Sequence, residues 1–110
     1  MANPIQVIVP NSFRVLSNAI ILTVNQPVQQ LPNIKVPDMR QIQIMSNPGN
    51  AIGSVVLVDG LYVNQHSYPL APGQTIGYAV KNANVIFVGV VGAALLAFLP
   101  LIVNYTVEIN

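Results

Sequence analysis

The chain has 110 residues, room for one domain with a single core of modest size. Only 6% of its residues are charged where about 25% is usual, 53% are hydrophobic, and Asn and Gln dominate the polar remainder. So little charge favours a subunit of a larger assembly over a free monomer, and the absence of cysteine excludes a disulfide framework or a thiolate metal site.

The opening Met-Ala-Asn-Pro has neither the basic start nor the apolar core of a secretion signal, so synthesis in the cytoplasm is expected. One β domain over residues 1–110 is expected, with residues 1–30 as an N-terminal arm or extra strands. Pro4, Pro10, Pro27, Pro32 and Pro37 cut the first third into pieces mostly too short for a typical helix. From Asn11 to Val24, alternate apolar positions on either side of Ser17-Asn18 predict two strand segments with a break between them. In Arg40 to Met45 the isoleucines share one face and the glutamines the other, the pattern of a half-buried antiparallel strand.

Asn47-Pro48-Gly49-Asn50 is a turn by composition, since Pro sets φ and Gly accepts positive φ. A strand is expected over Ser54 to Val58, turned by Asp59-Gly60 into a return strand at Leu61 to Val63. Ala71-Pro72-Gly73-Gln74 marks another turn, and Thr75 to Val80 places Ile76, Tyr78 and Val80 on one face. At the end of the chain Tyr105, Val107 and Ile109 oppose Asn104, Thr106 and Glu108, again a strand.

The piece between them, Val85 to Val103, carries no charged, amide or hydroxyl side chain. As a helix it would reach roughly 28 Å, nearly the thickness of a bilayer's hydrocarbon core, and a lipid-contacting subunit is the alternative that follows. Its β-branched residues, Gly89, Gly92 and Pro100 favour another division. That division is a strand from Val85 to Val91, a bend at Gly92, a short apolar segment to Leu99, and a last strand from about Leu101. Apolar residues then occupy both faces, and a partner surface is expected to cover them, with Phe87, Leu95, Leu96, Phe98, Leu99 and Leu101 as the contact positions.

Little in the chain suggests catalysis or a cofactor. His66 is the single histidine, Asp38, Asp59 and Glu108 read as turn or solvent-facing positions, and no nucleophile elbow or phosphate-cradling loop occurs. His66 reads as a loop residue, with pH sensing at a subunit interface as its functional alternative. The bases Arg14, Lys35, Arg40 and Lys81 are scattered and not interleaved with aromatics, so nothing points to nucleic acid. A glycan-binding module would need exposed aromatics, and four Tyr with no Trp give it little direct support.

From Pro32 to Val91 the order of features resembles small virion proteins of tailed bacteriophages. The features are Leu31-Pro32-Asn33-Ile34-Lys35-Val36-Pro37, the strand Arg40 to Ile44, then Tyr68-Pro69-Leu70-Ala71-Pro72-Gly73-Gln74-Thr75-Ile76, and Asn84 to Val88. The resemblance implies an all-β, antiparallel β-sandwich or jelly-roll-like domain that decorates or cements a capsid, or forms a head or tail appendage. It implies residence in the virion, a homo-oligomer with a trimer favoured, the major capsid or another virion protein as partner, and no cofactor.

Overall fold

The structure, a computed structural model, describes residues 15–108. Eight strands form two four-stranded antiparallel sheets. They are β1 (Val15–Leu22), β2 (Val28–Gln30), β3 (Ile42–Ser46), β4 (Val56–Asp59), β5 (Tyr68–Leu70), β6 (Thr75–Tyr78), β7 (Phe87–Gly89) and β8 (Leu101–Glu108). The only other regular pieces among the described residues are a 3-10 turn, Ala83–Val85, and a single helical turn, α1 (Ala93–Leu96).

The first sheet runs β1-β8-β3-β6 and the second β2-β7-β4-β5. Four pairs are nested, β1 with β8, β2 with β7, β3 with β6 and β4 with β5, as in one long hairpin. Rolling that hairpin brings β8 beside β3 and β7 beside β4. This is the jelly-roll arrangement of the all-β sandwich, and the expected fold class holds.

The core lies between the sheets, and period-two alternation fills it. In β8, Leu101, Val103, Tyr105 and Val107 point inward, and in β3 Ile42 and Ile44 meet them. Leu22, Val56, Val58, Leu70, Val88 and Val90 complete the layer. At roughly 25 cal/mol per Å² such burial is the main favourable term of a domain this size. Ile76, Tyr78 and Val80 pack on its margin, as their shared face predicts.

Two sequence expectations need correction. β1 runs unbroken through Ser17-Asn18, in one-to-one register with β8 from Val15↔Glu108 to Leu22↔Leu101. Its apolar pattern changes phase because the N-terminal half of the strand stays exposed on both faces and has no single face to bury. Phe13 and Ile109 lie outside the described residues. Second, Asp59-Gly60 does not turn a tight hairpin. The chain wanders from Gly60 to Ser67 before β5 returns, because the Asp59 side chain organises a longer loop.

The order of pieces expected for Val85 to Val103 holds, with positive φ at Gly92, a short helical turn and then β8, but the strand expected from Val85 to Val91 is only Phe87–Gly89, because Val85 ends the 3-10 turn. Among the described residues no helix is long and apolar enough to cross a membrane. Part of the run is hidden within the chain itself, Ile86, Val88, Val90, Leu101 and Val103 being core, while Val85, Ala93, Ala94, Leu96, Ala97 and Ile102 are exposed. The turns at Asn47-Pro48-Gly49-Asn50 and Ala71-Pro72-Gly73-Gln74 form as expected, closed by hydrogen bonds from Asn50 N to Asn47 O (3.0 Å) and from Gln74 N to Ala71 O (2.9 Å).

Candidate functional site

The six residues expected at an interface separate into three environments. Leu101 is 1% exposed and belongs to the core, so it cannot meet a partner; its place on β8 opposite Leu22 decides this. Leu95, Phe98 and Leu99 pack against the core from α1 and the turn after it, and stay partly exposed. Leu96, at 37%, faces outward, and Phe87 lies half-buried on the outer face of the second sheet, in register with Gln30 and Asp59. These positions do not form one continuous patch.

The larger exposed apolar side chains lie elsewhere, with three of them in β1. Val15 is 48% and Ile21 57% exposed, and Leu16 is exposed beside them. β1 is also an edge strand, eight residues long, whereas the other three edges, β2, β5 and β6, have three or four residues. Edges are usually guarded by being short, by Lys, by Pro or by a bulge. β5 carries Pro69, but Val15–Leu22 has no charged residue, no proline and no break in register.

The free edge of β1 can be read from two side chains. Asn18 Oδ1 accepts from Ala19 N (2.8 Å) and Gln29 Nε2 donates to Ile21 O (2.8 Å), so the odd-numbered residues turn their backbone groups away from β8. Val15 N–H and C=O, Ser17 N–H and C=O, Ala19 C=O and Ile21 N–H have no partner among the described residues. Beside this edge the outer face of the first sheet is nearly uncharged. The row Ser17, Thr106, Gln43 and Gly77 crosses all four strands, with Glu108 at one end of the face.

Most amides turn inward on the chain. Gln30 Nε2 donates to Asn84 O (2.6 Å), Gln29 holds Ile21 and Gln26, and Asn82 takes Ile34 N and Asn84 N on one oxygen. The Asn50 side chain pairs with Ile102 in both directions, donating to its C=O (2.8 Å) and accepting from its N–H (2.9 Å). The Gln29 and Gln30 side chains are therefore engaged within the chain. Gln41 and Gln43 lie across the outer face over Gly77.

A second surface is built by the loop between β4 and β5. Asp59 is its hub: Oδ1 accepts from Gly60 N (2.6 Å) and Leu61 N (3.3 Å), and Oδ2 accepts from Ser67 Oγ (2.7 Å). Ser67 Oγ in turn accepts from Asn64 N (2.9 Å), and Asn64 Oδ1 accepts from His66 N (2.7 Å). The Ser67 hydroxyl, then the Gly60 N–H, hold the Asp59 carboxyl below its ordinary range against an opposing desolvation, with Leu61 N–H adding to the lowering. The Tyr78 phenol is pushed up by burial and then by the charges of Asp59 and Tyr68.

Leu57, between two core residues of β4, points out of the sandwich yet is buried, and so is Val63; neither belongs to the inter-sheet core. Residues of the loop and of the turn after β7 form a shallow cleft of about 620 Å³ lined by Tyr62, Val63, Asn64, Gln65, His66, Val91 and Gly92.

Among the described residues no cluster of His, Asp and Glu is arranged to hold a metal. The fold and surfaces define an all-β jelly-roll domain with a long open edge. Comparisons with protein-family models, curated proteins and solved structures find no match.

Proposed function

We propose that the chain is a non-enzymatic structural subunit that self-associates and bridges neighbouring subunits of a shell, the role suggested by its resemblance to bacteriophage virion proteins. One observation carries the reading: among the described residues β1 is the longest edge, nothing guards it, and exposed Val15, Leu16 and Ile21 lie beside backbone groups without a partner. Pairing along such an edge satisfies those groups and removes apolar area from water in one step. The rarity of charge supports it, because little repulsion opposes close approach of copies.

The work such a subunit does is mechanical. Each bridge adds buried area and hydrogen bonds that must break before the shell opens, which slows opening without any chemistry. Leu96 and Phe87, being outside the core, remain available for contact with a shell protein.

Native mass in solution, followed by co-sedimentation with purified particles, tests the proposal. An oligomer that pellets with particles is expected. A monomer at micromolar concentration that stays in the supernatant would refute it.

A further inference from the structure

We infer that the cleft between the β4–β5 loop and the turn after β7 binds a neutral saccharide. This goes beyond self-assembly and uses a different face from the β1 edge.

Five features support it. Tyr62 is 66% exposed, and among the described residues its hydroxyl has no hydrogen-bond partner, so an aromatic face stands ready to stack on the C–H face of a sugar ring. Gln65 and His66 side chains are exposed and likewise form no hydrogen bond among the described residues, so their donors and acceptors are available for hydroxyl groups. Val63 and Val91 supply an apolar floor, and Gly92 keeps the opposite wall free of a side chain.

Neither Asp, Glu, Lys nor Arg lines the cleft, which selects against anionic and cationic ligands alike. The fifth feature is rigidity. The hydrogen bonds radiating from Asp59 and Ser67 hold the loop's backbone while leaving Tyr62, Gln65 and His66 free, so little ordering entropy remains to be lost on binding.

The test begins with the full chain on an array of neutral and sialylated glycans. Titration of isotope-labelled protein with methyl glycosides of the hexoses and N-acetylhexosamines that score follows, read by amide chemical shifts. Retention of neutral glycans is expected, with shifts confined to Tyr62 through His66, Val91 and Gly92. Tyr62→Ala should weaken binding about tenfold while Tyr62→Phe stays within about threefold. Gln65→Ala, which disturbs no internal hydrogen bond, should weaken it about fivefold and serves if Tyr62→Ala misfolds. None of these variants should alter native mass, which separates this site from self-assembly. Absence of any retained glycan, preference for sialylated ones, or shifts mapping elsewhere would overturn the inference.

Discussion

Ser67 donates its hydroxyl proton to Asp59 across eight residues of loop, at 2.7 Å, and the same oxygen accepts the Asn64 amide. One serine thus joins the end of β4 to the start of β5. Because the pair lowers the Asp59 pKa in the folded state, its contribution is complete above the unfolded value of about 3.9 and fades as pH falls through the folded one. Ser67→Ala removes the largest cause, so carbon-detected NMR titration should find the Asp59 pKa raised toward its ordinary value. An unchanged pKa would show that the backbone N–H groups dominate.

Leu101 and Leu96 separate core from surface. Leu101→Ala should cost about 2–5 kcal/mol in chemical denaturation, the usual range for a buried leucine. Leu96→Ala should stay within about 0.5 kcal/mol. Phe98→Asp should also destabilise the folded chain, since Phe98 packs against the core and beside Gly53, and it is therefore a poor probe of association.

Lysines on the open edge give the cleaner probe. Ser17→Lys combined with Ile21→Lys puts charge along β1 at two exposed positions, the device by which natural edges repel each other. Sedimentation should show a lower native mass, with folding stability altered by about 1 kcal/mol or less across the two surface sites. An unchanged mass would move the contact away from β1.

Gly89 and Gly77 both sit in strands and both lack room for a Cβ, but the obstacles differ. At Gly89 a Cβ would lie 2.8 Å from the Pro27 carbonyl oxygen and 2.7 Å from a Val28 methyl, so backbone must move and the β2–β7 pair must shift. Gly89→Ala should cost about 1–3 kcal/mol. At Gly77 the close neighbours are the Gln41 and Gln43 side-chain ends, at 2.8 and 3.1 Å, which can swing into solvent. Gly77→Ala should be nearly neutral, and thermal melts of the two variants would show the contrast.

Alternation made β3 and β8 legible from sequence, because each has one face in the core and one in water and the side chains report it directly. The turns at Asn47 and Ala71 were legible because proline and glycine have few conformations open to them. β1 was legible as strand but not as one unbroken strand, since its N-terminal half is exposed on both faces and has no period to display. The site at the β4–β5 loop was hidden for another reason. Its geometry depends on Asp59 bonding backbone groups in place of making a two-residue turn, and Asp-Gly serves equally well in either role. Leu101 was misplaced among contact residues because an apolar run does not reveal which of its members the opposite sheet will cover.

The nested pairing has a consequence during synthesis. The β1–β8 pair closes the longest span of sequence, so β1, ahead of the other described strands in the chain, lacks its partner until Leu101–Glu108 has been made. For that interval an apolar ribbon stands with both edges bare, and the nascent chain is most prone to tangle with others. A chaperone that shields Val15 to Leu22 until release would raise the yield of folded protein.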